Sequence, residues 1–371
     1  MKPRLLCILH RSPPAHGAAK VGDFIAESEK LKERFDCRFI TIKSSDTIAD
    51  IGRINVKKFY LVAELYIKVL WALVSFRPDK IYFTASIRSV ALYRDLLVST
   101  LWKGYRLFKP AEIYYHYHTK GVDDYVSASR RNLALTRFFL KNVNLILLSP
   151  LLEKDFRQVN TYKSVYFLPN GVEDPLEGAD FDEYVCGKYK HVETIEILYL
   201  AHMMKEKGYP EALELARKMK GERVHFHFAG NWGSAEDEKA FFEFVEKNDL
   251  RDRVTYHGFV SGEEKSTLFR QAHLLLYPSK NDAFPLTIVE SLAFGVPVVA
   301  TAEGSIPYIL DDKSGVVVDD LNGLYKAVEW AMEKLVNAET ARYCRNRYLQ
   351  NFTLQRFEER LVKILEGESD E

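Results

Sequence analysis

Two carboxylates, Asp282 and Glu290, stand in a stretch whose pattern could bring them to a ligand: Tyr277 to Thr301, YPSKNDAFPLTIVESLAFGVPVVAT. The apolar run 272–277 before it is short enough for a buried strand. Pro278, Ser279, Asn281 and Asp282 then supply turn chemistry. Pro285 suits the first turn of a helix, where its missing N–H costs nothing. Gly295 sits where a left-handed C-cap belongs, and residues 296–300 read as the next strand. The unit is strand, loop, short helix, strand. On that helix Ile288, Val289, Leu292 and Ala293 form the apolar stripe, and Glu290 lies at its edge with Leu286 and Phe294 four residues to either side. A carboxylate screened by apolar neighbours needs a partner. It can be a cap or ion pair inside the fold. It can also be a hydroxyl-binding group beside a helix N-terminus, whose N–H groups and dipole favour phosphate. The stretch alone leaves both readings open, since structural carboxylates are perturbed too.

Three other places carry polar groups at the ends of predicted strands. His116, His118 and Lys120 close the strand read over 112–121, at the edge where open α/β sheets bind ligands. Isolated histidines are more often satisfied within the fold. His202 and Lys207-Gly208 follow the strand 196–201, where a Lys-Gly alone is a commonplace turn. Gly17, with small neighbours after the strand 4–9, would let backbone N–H groups approach a phosphate, although one glycine alone reads as a plain turn.

The spacing Asp282–seven residues–Glu290, with Ala-Phe-Pro after the first acid and Gly-Val-Pro-Val-Val after the second, resembles the signature of retaining glycosyltransferases of family 4. That resemblance implies a GT-B fold, two Rossmann-like domains with a nucleotide-sugar cleft between them. The signature usually has Glu at both ends, and Asp282 is one methylene shorter. The resemblance implies that Glu290 holds the ribose hydroxyls, and that Asp282, Ala283 and Phe284 hold the sugar. Pro285 and Leu286 then open a helix facing the donor. It implies that Lys207 clamps the diphosphate, with His202 in the place of the family's Arg and Ala201 in that of its Gly. Phe259 and Val260 fall where the family contacts the nucleobase, and Gly17 where its glycine-rich loop faces the donor. His118 matches a histidine facing sugar and acceptor, with His116 second and Lys120 a phosphate or acceptor contact. The implied catalytic set is His118, Lys207, Asp282 and Glu290.

The elements that must position these groups follow from periodicity. Strands are read at 4–9, 37–42, 80–84, 112–121, 144–149 and 164–168, then at 196–201, 225–231 and 254–260 (each with its turn), 272–277, 296–300 and 314–318. Helical patterns alternate with them, among them one running to about Phe35 and one over 127–141, which is the doubly wound α/β arrangement. Residues 173–192 are acidic and poorly periodic, and read as a linker. Its Asp180-Phe181-Asp182 follows no strand and reads as linker charge, so no metal site is expected. The expected division is 1–172 for an acceptor-binding domain, 173–192 for the linker and 193–351 for a nucleotide-sugar-binding domain. Residues 352–371 hold a helix that, in GT-B enzymes of this type, returns to the first domain.

Composition narrows the class. The 371 residues are 47% hydrophobic and 28% charged, and Lys+Arg and Asp+Glu balance at 52 each. No global field favours nucleic acid. Cys7, Cys37, Cys186 and Cys344 are widely spaced and read as reduced thiols of a cytosolic protein. The N-terminus reads as a strand, not a signal peptide. Residues 59–76 contain Glu64 and Lys68 and read as a buried amphipathic helix, not a membrane span. Residues 93–108 interleave Leu97, Val98, Leu101, Trp102, Tyr105 and Phe108 with Arg94, Lys103 and Arg106. Such a helix can lie on a membrane surface, or pack one face inward and solvate the other.

The expected activity is transfer of a sugar from a UDP- or GDP-linked donor to an acceptor hydroxyl, with configuration retained and no cofactor or metal. Glycan or lipid-linked acceptors of bacterial-type surface polysaccharide or glycolipid assembly fit this. The expected location is cytoplasmic, with the inner face of the membrane as a variant. Two alternatives stand beside it: a nucleotide-sugar epimerase of the same fold, and a catalytically silent sugar-binding subunit.

Overall fold

The computed structural model describes residues 2–13, 17–43, 56–87 and 89–368. Part of the loop read after the first strand (14–16) and the end of the tail (369–371) lie outside them. The chain forms two compact units, Met1–Asn170 with Leu354–Glu371, and Gly171–Thr353.

The first unit is a parallel sheet of β1 (Arg4–Leu9), β2 (Asp36–Thr41), β3 (Lys80–Ala85), β4 (Glu112–Tyr117), β5 (Asn144–Leu147) and β6 (Ser164–Phe167), in the order β2-β1-β3-β4-β5-β6. Its strands are apolar on both faces because helices cover both. Leu6, Ile8, Ile81, Phe83, Ile113, Tyr115 and Leu145 pack on one side, with α3 (Val56–Ser75) and α4 (Ser89–Tyr105). There the Trp102 indole N–H donates to the Tyr115 hydroxyl at 2.9 Å. Leu5, Cys7, Leu9, Tyr82, Tyr114 and Ile146 pack on the other, against α1 (Gly17–Glu27), α2 (Glu29–Arg34) and the last helix, Leu354–Glu366. That last helix places Phe357, Leu361, Ile364 and Leu365 in this core, which is why the chain returns here at Leu354.

Several elements differ from the sequence reading. The helical run to Phe35 breaks at Ser28, whose hydroxyl caps α2 by accepting from the Leu31 N–H. The helix expected over 127–141 starts at Arg130, where Ser129 caps α6 (Arg130–Leu140), and a separate short helix, α5 (Val122–Ser127), precedes it. Helix α3 is not simply buried. Leu65, Val69, Ala72 and Leu73 enter the core, while Tyr60, Ile67, Trp71 and Val74 are exposed. No helix among the described residues is long and apolar enough to cross a membrane.

The second unit is also a parallel six-stranded sheet: β7 (Ile195–Leu200), β8 (Val224–Ala229), β9 (Val254–Tyr256), β10 (Leu274–Tyr277), β11 (Val298–Thr301) and β12 (Gly315–Val318), ordered β12-β11-β10-β7-β8-β9. The stretch read as a linker contains α7 (Phe181–Tyr189) and belongs to this unit. Asp180 is its N-cap, accepting from the Glu183 N–H at 3.0 Å, and Asp182 pairs with Arg342 at 2.5 Å. Those acids have structural partners, which a solvated linker would not supply. The remaining helices are α8 (Tyr209–Lys218), α9 (Ala235–Lys247), α10 (Gly262–Gln271), α11 (Leu286–Ala293), α12 (Ile306–Ile309), α13 (Leu324–Lys334), α14 (Ala338–Asn351) and, in the first unit, α15 (Leu354–Glu366).

Arg345 of α14 holds the start of this unit to its body. Its guanidinium makes two 2.7 Å bonds to Asp174, donates to the Ala293 carbonyl at 3.0 Å, and lies over the Phe181 and Tyr348 rings. Arg345→Ala is expected to destabilise the second unit by about 3 kcal/mol, since it removes a buried guanidinium and leaves the half-buried Asp174 carboxylate without its cation. Arg345→Lys should recover only part of this, because an ammonium cannot span both carboxylate oxygens. Urea unfolding of the three proteins checks it, and an unchanged midpoint for Arg345→Ala would contradict it.

Candidate functional site

Strand order in the second unit reverses between β7 and β10: the chain runs from β7 outward through β8 and β9, then returns to β10 on β7's other side. Loops leaving the carboxyl ends of two such strands diverge and open a crevice. Lys207 follows β7 and Asp282 follows β10, so the topology brings them together there.

The β7 loop is shaped by two glycines. At Gly230 (φ +147°) a Cβ would lie 1.8 Å from the Ala201 carbonyl oxygen. At Gly208 (φ +81°) it would lie 2.1 Å from that of Pro278. Only glycine lets these loops come so close. The Tyr199 hydroxyl donates to the Lys207 carbonyl at 3.1 Å, and the Lys280 N–H to the Glu206 carbonyl at 2.8 Å.

Lys207 Nζ donates to Asp282 Oδ1 at 2.7 Å and to the Asn281 carbonyl at 2.9 Å. Asp282 Oδ2 accepts from the Tyr277 hydroxyl at 3.0 Å and from Ser279 Oγ at 2.6 Å. Burial, then the charge of Asp282, pushes the Tyr277 phenol well above its ordinary value, so it serves as a neutral donor. Both oxygens of Asp282 are therefore engaged within the unit. Gly304 (φ +55°) closes over its backbone, where a Cβ would lie 2.2 Å from the Asp282 carbonyl oxygen, and the Ser305 N–H bonds the Ala283 carbonyl at 2.8 Å.

Helix α11 begins one residue later than the sequence reading, with Pro285 as its N-cap and Leu286 first inside. Pro285 offers no side-chain hydrogen bond to the first turn, where the Ile288 N–H bonds the Pro285 carbonyl at 3.2 Å. The helix ends in a Schellman motif: Val296 N–H bonds Ser291 O, Gly295 N–H bonds Leu292 O, and Gly295 has φ +69°. Glu290 is half-buried, and its Oε1 accepts from Lys265 of α10 at 2.7 Å. The ion-pair reading of this carboxylate is thus realised, with a partner the sequence reading did not identify. The one signal for Lys265 was a lysine in the first turn after the Gly258-Phe259-Val260 loop.

The other donor-side residues divide. Phe259 is 63% exposed beyond β9, and Val260 is half-buried beside it. Ala283 and Leu286 are half-buried, and Pro285 is buried. Phe284 turns inward, edge-on to Phe352 at 6.2 Å, so its ring is core and only its backbone is available for a sugar contact. His202 is exposed after β7, and desolvation followed by the Lys207 charge lowers its imidazole pKa below the ordinary value.

In the first unit the order reverses between β1 and β3, and Gly17, the exposed first residue of α1, follows β1. A Cβ at Gly17 would meet nothing within 4 Å, whereas at Gly22 it would lie 1.9 Å from the His10 carbonyl oxygen. Gly22, which the sequence reading passed over, is the glycine that lets α1 pack against the end of β1. His116, His118 and Lys120 lie at β4. His116 is buried, bonded through Nδ1 to the Tyr82 hydroxyl, with its ring centroid 4.0 Å from that of His118 and the two rings tilted by 44°. Burial, then the His118 charge, holds its pKa well below the ordinary value, so it stays neutral. His118 and Lys120 are half-buried.

Residues 187–349 match the family described as Glycosyl transferases group 1. A putative colanic acid biosynthesis glycosyltransferase, WcaL, of Escherichia coli is 30% identical over 137 residues, covering 34% of this chain and 32% of that one. The chain spans about a third to under half the length of the first curated relatives it matches. Sucrose-phosphate synthase from Thermosynechococcus elongatus superposes with TM-score 0.72 at 18% identity, over 99% of both chains. Anabaena HepE in complex with UDP and glucose does so with TM-score 0.68 at 14% identity, over 98% of this chain and 100% of that one. The two-sheet α/β architecture is the GT-B fold.

Removing the positive charge beside His202 should raise its pKa. In Lys207→Gln, the His202 imidazole is expected to titrate closer to the ordinary histidine value than in the parent. NMR titration of the ring protons measures both, and identical midpoints would show that Lys207 does not act on this imidazole.

Proposed function

We propose that this chain, whose residues 187–349 carry a glycosyl transferases group 1 domain on a GT-B framework, is a retaining glycosyltransferase. It moves a sugar from a nucleoside-diphosphate sugar to an acceptor hydroxyl. The observation carrying this reading is the Lys207–Asp282 pair at the β7/β10 reversal, beside a helix N-terminus without a side-chain cap.

Lys207 has three N–H donors, of which Asp282 and Asn281 take two. The third, with the first N–H groups of α11, suits the oxygens of a diphosphate. Cleavage of the sugar–phosphate bond builds negative charge on the leaving diphosphate, and fixed donors aimed at it stabilise that charge. The acceptor hydroxyl attacks from the face the diphosphate leaves, and its proton passes to the departing phosphate oxygen. No base carboxylate and no divalent metal enter that step. Glu290, held by Lys265, takes the ribose hydroxyls, while exposed Phe259 and neighbouring Val260 receive the base. Asp282 acts on Lys207 first, and any contact with the sugar comes from the 282–284 backbone or one shared oxygen. His118, with His116 behind it, and Lys120 serve the acceptor side, and Gly17 the donor side of the first unit.

UDP with glucose in the Anabaena protein supports a nucleotide-sugar donor, and the putative role of WcaL in colanic acid biosynthesis supports a surface-polysaccharide or glycolipid acceptor at the cytoplasmic side of a membrane. A lipid-linked acceptor would be served by membrane contact of residues 93–108.

Incubation with UDP- and GDP-sugars should give slow release of nucleoside diphosphate without isomerised donor. Isomerised donor would instead make the protein an epimerase, and binding without turnover a silent subunit. Turnover should survive a chelator, and loss specifically restored by Mg²⁺ or Mn²⁺ would refute metal independence. Glu290→Ala should weaken donor binding by about 1.5–3 kcal/mol, the worth of hydrogen bonds to a charged acceptor. Asp282→Ala should lower turnover more than nucleotide binding. Equal loss of free-nucleotide affinity in both variants, by calorimetry, would contradict this division.

Donor binding should also take up a proton. The free His202 imidazole is depressed, and a bound diphosphate raises its pKa. Affinity is then highest below the free-state pKa and is lost as pH rises from there through the bound-state pKa. His202→Arg should remove that slope, and parallel pH profiles for the two proteins would show that His202 does not meet the diphosphate.

A further inference from the structure

Lys188 of α7 is a largely buried cation that no carboxylate neutralises. Its Nζ donates to the Tyr184 hydroxyl at 3.2 Å and to the Phe269 carbonyl at 3.4 Å, both long for bonds from an ammonium. It lies 5.5 and 5.8 Å from the centres of the Tyr184 and Tyr189 rings. Burial brings its amine down to about 7, with only the nearby Cys344 thiol of α14 acting the other way. A buried amine usually acquires an acid for a partner, and the second unit has not given it one.

Lys188 opens onto a cavity of about 840 Å³, bounded by α7, the end of α10 and the amino ends of β7 and β8. Lys207 and Asp282 follow the carboxyl ends of β7 and β10, so in a parallel sheet this cavity lies at the opposite edge from them. It is therefore separate from the donor site. His225 and His227 line it from β8, Arg270 and Gln271 from α10, and His273 from just before β10. The basic groups crowd one another. Burial, then His227, lowers the His225 imidazole, and burial, then the Lys188 charge, takes His273 down to about 4. Two acids also line the cavity, and neither reaches Lys188. Glu196 accepts from His227 Nε2 at 2.8 Å, and Glu183 is exposed in the first turn of α7.

The occupant follows from these groups. An anion set among them would favour their charged forms, the reverse of what they now do to each other. A phosphate offers three acceptor oxygens to donors arriving from different directions, which suits an amine, imidazoles and a guanidinium on separate elements. Arg270 pairs with Glu263 through Nη1 and leaves further N–H donors. A bare ion would fill little of the volume, which is in the range of sites for small organic ligands. We propose that this cavity binds a small phosphate monoester, with Lys188 as the principal cation on its phosphate and Arg270, His225 and His227 around it. The site goes beyond the transfer reaction and shares no residue with it.

The test follows Lys188 in the full chain by NMR, with carbon-13 at the lysine Cε. The probes are glycerol 3-phosphate and sulfate, which does not titrate in this range, against chloride at equal ionic strength. Lys188→Arg, which keeps the charge, identifies the resonance. In chloride Lys188 should titrate at about 7, and each probe should move that midpoint upward. Affinity should be highest below the free-state value and be lost as pH rises from there through the bound-state pKa. Lys188→Met should weaken both probes about tenfold or more and remove that slope, as expected for loss of a charged hydrogen-bond donor. Its thermal melt and its release of nucleoside diphosphate from donor sugars should match the parent, which separates failure of this cavity from failure of the donor site. Should Lys188→Met misfold, the parent's own midpoints with and without the probes decide the matter. The proposal is overturned if those midpoints coincide, if folded Lys188→Met binds both probes as the parent does, or if sulfate binds and the monoester is excluded.

Discussion

The second unit is organised around one ion pair, Lys207 with Asp282, formed across the place where the sheet reverses direction. Taking an ammonium and a carboxylate partly out of water is costly unless their remaining donors and acceptors find partners. Here Tyr277 and Ser279 complete the carboxylate, and the Asn281 carbonyl takes a second ammonium hydrogen. The glycines at 208, 230 and 304 make that possible, since each allows two backbones to meet where a Cβ would collide. A charged group held this firmly needs little rearrangement when a ligand arrives, and that is the condition for stabilising charge in a transition state.

Asp in place of the usual Glu acquires a physical meaning in this setting. A carboxylate one methylene shorter sits back against Tyr277 and Ser279, where its first duty is to Lys207. Glu290 then has separate work, and it too is held by a lysine, Lys265. Each acid of the signature is thus matched to its own cation. Where the family resemblance expects an arginine the chain has His202, so the diphosphate contact proposed for it depends on protonating an imidazole whose pKa the free protein holds below the ordinary value.

Much of this was legible in the sequence, because parallel strands announce themselves as short apolar runs and their loops by Gly, Pro, Ser and Asp. The twelve strands, the Gly295 cap and the returning last helix follow from period and punctuation alone or with the family resemblance. What stayed hidden depended on long-range partners. Nothing local says that Lys265 reaches Glu290, that Phe284 turns toward Phe352, or that Asp180 and Asp182 are a cap and an ion pair instead of solvated charge. Helix α3 misled for a simpler reason. A helix whose apolar residues far outnumber its charged ones reads as buried, and the sequence cannot show that Tyr60, Ile67, Trp71 and Val74 are left exposed.

The central claim is that Lys207 is the diphosphate-binding cation, and it is tested most directly by comparing phosphate dependence with and without that charge. Calorimetry of UDP and GDP against their nucleosides gives the gain due to the diphosphate in the parent and in Lys207→Gln. The account predicts that whichever base binds, the diphosphate strengthens binding severalfold to many-fold in the parent, and that most of this gain disappears in the variant while nucleoside affinity is kept. A gain of equal size in both proteins would place the diphosphate elsewhere and contradict the account.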